Sequence, residues 1–164
     1  EKGLMNGVTT TVFQPERSIN RGMVVTILWR MEGSPKVSGG QQFTDMPVSS
    51  WCYDAVQWAA ANGIVTGFSD GSFGPGKVIT REQFAAIMWR YANYKGCNTA
   101  DRADLDGFAD ADSIHAYARE AMAWANAEGL INGKSKTTLA PLGETTRAQA
   151  ANILWRFSRN VAGK

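Results

Sequence analysis

The chain has 164 residues, 44% of them hydrophobic, including six tryptophans and seven phenylalanines. That is enough apolar area for an ordinary buried core, which excludes disorder over most of the length. The charges, 17 basic and 15 acidic, are well mixed for a net +2, so no polybasic patch points to nucleic acid, and no apolar run approaches the about 20 residues of a membrane helix.

The N-terminus carries neither a signal peptide nor an initiator Met, so the chain is expected to be a processed or excised fragment. A pattern then recurs three times: Pro15, Arg21, Trp29-Arg30; Pro75, Arg81, Trp89-Arg90; Pro141, Arg147, Trp155-Arg156. Matching positions lie 60 and 66 residues apart, with no gap inside any copy. Self-similarity at such a period marks a repeat architecture. The copies are bounded as 1–38, 39–100 and 101–164.

Taken in chain order, copy one opens at Glu1 to Gly7, which aligns with the end of a first helix, Asn62 to Gly67. Its own first helix is missing, and its apolar face then needs cover from elsewhere. Its second helix carries Val24, Ile27, Leu28 and Met31 at amphipathic spacing. Gly33 to Gln42 is a Gly, Ser and Pro linker. Copy two predicts a first helix from Trp51 to Asn62, with Trp51, Ala55, Trp58 and Ala59 on one face and Gly63 as its stop. Ile64 to Gly67 reads as a very short strand-like piece, Asp70-Gly71 as a turn, and Pro75 as a break. The second helix starts at Thr80 with a stripe of Phe84, Ile87, Met88 and Tyr91. Copy three repeats this with Tyr117, Ala121, Trp124 and Ala125, Gly129, Leu130 to Gly133, Pro141, Thr146, then Ala150, Ile153, Leu154 and Phe157. Trp58 and Trp124 read as core.

The connector from Gly96 to Asp112 holds five aspartates. Fixing Gly107 at position six of a calcium loop puts Arg102 at one and Ser113 at twelve, so that register fails. A solvated acidic linker is expected instead. Cys52 and Cys97 are the two cysteines. They are readable either as a disulfide across a loop of about 45 residues or as two separate buried thiols.

The helix starts read Asn20-Arg-Gly-Met23, Thr80-Arg-Glu-Gln83 and Thr146-Arg-Ala-Gln149. Thr-x-x-Gln is a capping box, which accounts for Thr80, Gln83, Thr146 and Gln149. Capping does not account for the arginine, a cation at the positive end of the helix dipole. It reads either as an ion-pair partner, with Asp45 or Asp110 within reach, or as an anion receptor. Trp29, Trp89 and Trp155 sit at the edges of their stripes, as packing residues or as sugar-stacking platforms. His115 is a lone histidine in a variable stretch. No His/Cys zinc cluster, nucleophile elbow or phosphate loop is present, so neither an enzyme nor a cofactor is expected.

The run Phe43-Thr-Asp45, Trp51, Ala55-Val56, Trp58-Ala59, Gly63-Ile64, Gly67, Asp70-Gly71, Phe73, Pro75 and Thr80-Arg81 resembles an S-layer homology (SLH) repeat. So does Phe108-Ala-Asp110 to Phe157, and Gly3 to Met31 in part. The resemblance implies a mainly α fold, a pseudo-threefold, three-pronged helical spindle of helix–turn–helix repeats. It further implies a cell-wall anchoring module on a secreted, cell-surface protein of a Gram-positive organism. Its partner would be an anionic secondary cell-wall polysaccharide, often pyruvylated, held in grooves between repeats. Arg21, Arg81 and Arg147 would bind carboxylate, Asp45 and Asp110 sugar hydroxyls, and Trp89 and Trp155 would offer stacking surface. The chain departs from the pattern where the family's fourth-position Glu is replaced by Gln83, Gln149 and Met23, and where Lys136-Thr137 stands for Asp-Gly. Those departures support a second reading, a structural or self-association module that has lost glycan binding and forms a homo-oligomer through the incomplete first copy.

Overall fold

The computed structural model describes Met5, residues 13–37 and residues 39–163. Within them five α-helices carry the architecture: α1 Arg21–Met31, α2 Tyr53–Ala61, α3 Arg81–Tyr94, α4 Arg119–Ala127 and α5 Arg147–Asn160. Helices α1, α3 and α5 are the arginine-led second helices of copies one, two and three. Helices α2 and α4 are the first helices of copies two and three. The alignment of Glu1 to Gly7 with a first-helix end lies, apart from Met5, outside the described residues.

Each arginine-led helix is started by its cap. Asn20, Thr80 and Thr146 hold extended backbone and accept from the N–H of Met23, Gln83 and Gln149. In the two Thr copies the Gln side chain also returns to the cap backbone, closing the box. A side-chain cap of this kind contributes about 1 kcal/mol. Helices α2 and α4 end where Gly63 and Gly129 take φ of +68°, the left-handed backbone that ends a helix at little cost for glycine.

The helices pair across copies rather than within them: α1 packs on α2, and α3 packs on α4. The cover that copy one's second helix was expected to need from elsewhere is therefore supplied by the following copy's first helix. Val24, Ile27 and Leu28 of α1 are buried accordingly. Residues of all three copies then join in one core, with Leu28, Trp58, Phe73, Phe84, Trp124 and Phe157 fully or almost fully enclosed.

The copies meet at their extended cap segments. Ile19 N–H donates to Thr145 O (2.9 Å), Thr145 N–H to Ile79 O (3.1 Å), and Ile79 N–H to Ile19 O (3.1 Å). This ring of three hydrogen bonds closes on itself and marks the pseudo-threefold axis. Isolated antiparallel bridges Ser18–Thr146, Asn20–Val78 and Thr80–Glu144 flank it. Strand-like pairing was expected at Ile64 to Gly67 and Leu130 to Gly133; among the described residues it occurs here instead.

Trp51 and Tyr117 also depart from expectation. Their spacing put them in helical stripes, but α2 and α4 begin two residues further on, and both side chains are more than half exposed. Cys52 is buried and Cys97 half-buried, each as a free thiol. No helix among the described residues is long and apolar enough to cross a membrane.

Candidate functional site

The arginines that lacked an explanation in the sequence are joints between copies. Arg21 Nε donates to Phe73 O (2.9 Å), Arg81 Nε to Leu139 O (2.8 Å), and Arg147 Nε to Phe13 O (2.9 Å). Each acceptor lies two residues before the conserved-spacing proline of the next copy round the axis. All three side chains are buried, which lowers their pKa from the usual value by desolvation. Aromatic rings cover two of them, Phe68 and Phe73 over Arg21 (4.6 and 4.8 Å) and Phe13 over Arg147 (4.6 Å).

The backbone donors of the helix starts are spent the same way. Arg21 and Gly22 N–H donate to Lys77 and Pro75 O, Arg81 and Glu82 to Gly143 and Pro141 O, Arg147 and Ala148 to Arg17 and Pro15 O. The third N–H goes to the cap side chain. The helix N-termini, readable from the sequence as carboxylate receptors, thus offer none of these three donors, and the Arg81 guanidinium also donates through Nη2 to Asn132 O.

Asp45 and Asp110 hold the turns that present the arginine acceptors. Asp45 accepts from Phe73 and Gly74 N–H (2.8 and 2.7 Å), Asp110 from Leu139 and Ala140 N–H (2.8 and 2.7 Å). The bond from Leu139, with that from Ala140 and the nearby Arg81 charge, holds the Asp110 carboxyl below the usual carboxylate range. No direct Arg–Asp ion pair at these positions is found among the described residues.

Among the described residues two grooves open between copies, at equivalent places in the repeat. One, of about 400 Å3, is lined by Arg21, by Val65 to Ser69, and by Gln83, Ala86, Ile87 and Arg90 on α3. The other, of about 440 Å3, is lined by Arg81, by Leu130 to Lys134, and by Gln149, Asn152, Ile153 and Arg156 on α5. In each, an arginine of one copy faces the post-helix loop and second helix of the next. The positions of copy one that correspond in sequence to Val65 to Ser69 lie, apart from Met5, outside the described residues.

Reading the residues one at a time missed Arg90 and Arg156, the second members of the Trp-Arg pairs, which line the grooves. Their signal was the invariant threefold spacing itself. Neither Trp89 nor Trp155 is among the lining residues. Trp89 is half-buried with its indole N–H on Thr99 O (3.4 Å), and Trp155 is exposed beneath the Arg159 guanidinium (4.9 Å). Asp45 and Asp110 lie behind the grooves rather than in them.

The Arg21 groove has a further wall from copy three. Glu82, 2% exposed, accepts from His115 N–H (3.0 Å) and Tyr117 OH (3.0 Å) and bonds His115 Nδ1 (2.7 Å). Burial and the adjacent Glu82 charge push the Tyr117 hydroxyl up to about 12. The acid missing from the fourth position of the helix start therefore stands one residue earlier in copy two. Copies one and three have Gly22 and Ala148 there. At Gly22 an added Cβ would meet the Trp51 ring at 3.0 Å, so Trp51 takes over Gly22 the place that Tyr117 takes over Glu82.

A family model described as S-layer homology domain matches residues 42–85 and 107–151. The chain is 30% identical to an endoglucanase of Bacillus sp. (strain KSM-635), over 99% of its own length and 17% of that protein. It is 30% identical to the surface-layer 125 kDa protein of Lysinibacillus sphaericus, over 98% of its length and 13% of that protein. A cellulosome-anchoring protein of Acetivibrio thermocellus is 25% identical over 93% of the chain and 34% of the relative. The chain thus spans a minor part of each relative's length.

Proposed function

The chain belongs to the S-layer homology family, and on that premise we propose that it is a non-covalent cell-wall anchoring module of a secreted surface protein. It binds an anionic secondary cell-wall polysaccharide, pyruvylated in the finer form of this reading, and has no catalytic part of its own. The pair of matched inter-copy grooves carries the proposal. Each has the volume of a small-ligand site, for which about 300–1,000 Å3 is usual. Each also sets two guanidinium groups from successive copies around one concavity, an arrangement suited to bidentate carboxylate binding. Arg21, Arg81 and Arg147 are the recurring cations, with Arg90 and Arg156 opposite the first two. Asp45 and Asp110 act in this reading by fixing the turns whose carbonyls hold Arg21 and Arg81, and Trp155 offers stacking surface outside the grooves. The names of the relatives, a surface-layer protein and an anchoring protein among them, support the same role.

The experiment is retention on purified secondary wall polysaccharide, with melting temperature followed in parallel. Lys134→Ala with Arg156→Gln should reduce retention roughly tenfold or more, since a lost charge-assisted contact of about 1.4 kcal/mol is a factor of ten. Arg81→Lys should lower stability through the lost Nε bond to Leu139 O while keeping most of the retention. Unchanged retention in the Lys134/Arg156 variant refutes the reading. Concentration-dependent sedimentation separates the self-association module: a tight dimer without polysaccharide retention would replace anchoring.

A further inference from the structure

We propose that the two grooves divide the glycan between them: the Arg81 groove takes its acidic residue, and the Arg21 groove takes an uncharged pyranose unit. The inference rests on the anchoring reading and assigns chemistry to each of its sites. Its basis is that the grooves occupy equivalent positions in successive copies and differ in charge at two of them. Phe68 in the first is Lys134 in the second, and Glu82 in the first corresponds to Ala148. Both exchanges act in the same direction.

The Arg81 groove is lined by three cations, Arg81, Lys134 and Arg156, and by no acid among the described residues. Lys134 is exposed at its mouth. The Arg21 groove has two cations, Arg21 and Arg90, and the carboxylate of Glu82. That carboxylate is almost fully enclosed and serves as the common partner of the His115 backbone, the His115 ring and the Tyr117 hydroxyl. The Arg21 guanidinium is itself covered by the Phe68 and Phe73 rings. A second carboxylate brought into this groove meets a fixed acid across low-dielectric surroundings, where repulsion is strong. A neutral sugar meets no such penalty. Its C–H face matches the half-buried Phe68 and half-exposed Tyr117 rings, and its hydroxyls find polar partners at the groove edge. Asp45 and Asp110 sit equivalently behind both grooves and do not alter the comparison.

The test uses the full chain, isotopically labelled, and two probes: a pyruvylated N-acetylhexosamine methyl glycoside, and the same glycoside without the pyruvyl group. The acidic probe should shift the amide signals of Asn132, Gly133 and Asn152. The neutral probe should shift those of Thr66, Gly67 and Tyr117. Glu82→Gln should admit the acidic probe to the Arg21 groove with at least a tenfold gain there. Removing the charge from so buried a residue can unsettle the fold, so the reciprocal variant is made as well. Ala148→Glu, at a half-buried position, should weaken acidic-probe binding at the Arg81 groove at least tenfold. If the polysaccharide is retained but the acidic probe moves the Arg21-groove signals of the unaltered chain, or Ala148→Glu leaves its binding unchanged, the division fails and anchoring stands. If neither the polysaccharide nor either probe binds, anchoring fails and the division with it.

Discussion

Thr145 is the one hydroxyl in the axial ring, where its counterparts are Ile19 and Ile79. It is 0% exposed, and although its backbone N–H and C=O are both bonded, its Oγ1 has no partner among the described residues. A buried hydroxyl without a hydrogen bond costs about 1–3 kcal/mol relative to water. Thr145→Val keeps the branched shape, suits the extended backbone and replaces the stranded oxygen by a methyl. The variant should therefore be more stable by about 1–2 kcal/mol. For 164 residues, at about 2.1 cal/mol/K per residue, the unfolding entropy is about 0.34 kcal/mol/K, so the gain corresponds to about 3–6 °C in Tm. Thermal and denaturant unfolding followed by circular dichroism reads both quantities. Thr145→Ser serves as the counterpart: it keeps the oxygen, loses the methyl, and should fall by about 1 kcal/mol. If the Val variant melts at or below the parent, the oxygen is satisfied in solution and the reasoning is refuted.

Three further outcomes follow from the turns that Asp45 and Asp110 hold. Gly74 and Ala140 occupy the same position, with φ of +70° and +51°, so Ala140→Gly should be neutral to about 1 kcal/mol stabilising, as left-handed strain is relieved against added chain entropy. Gly74→Ala should instead cost about 1–2 kcal/mol by denaturant titration, since its Cβ would lie 2.8 Å from both Lys77 and Phe68 side-chain carbons. The Asp110 carboxyl is held below 3.8 in the folded chain, chiefly by the Leu139 N–H. Its stabilising contribution is complete above the unfolded value and is lost as pH falls through the lowered folded one. The gap in Tm between the parent and Asp110→Asn should accordingly be open near neutrality and close in strong acid. A gap that persists unchanged there would exclude the carboxylate as its source.

Much of the local structure was legible because it is set by neighbours in sequence. Thr80 and Gln83 close a capping box within one turn, and Gly63 ends a helix by its own backbone freedom. The placement of the arginines was not. The Nε acceptors of Arg21 and Arg81 lie 52 and 58 residues away, and that of Arg147 lies 134 away. No periodicity reports such a partner. Amphipathic stripes show that Val24 and Leu28 need cover, yet they cannot say that α2 of the next copy supplies it. Trp51 and Tyr117 misled because their spacing continues the stripe past the point where the helix starts. Glu82 was in plain view beside Arg81, but its meaning depends on His115 and Tyr117, 33 and 35 residues on. The difference between Phe68 and Lys134 was visible as a break between copies and acquired sense only when both proved to line a groove.

The closed ring through Ile19, Ile79 and Thr145 has a consequence for how such a chain can be built and altered. In an open solenoid each repeat touches only its neighbours, so units can be added or removed at an end with a proportional change in stability. Here the first and last copies are hydrogen-bonded to each other, Ile19 to Thr145 across 126 residues. Neither a two-copy nor a four-copy chain can satisfy that circuit. The repeats are recognisable as separate units of sequence, yet the number three is fixed by closure. During synthesis the first copy's Ile19 N–H and the Arg147 acceptor Phe13 O wait unpaired until the third has left the ribosome.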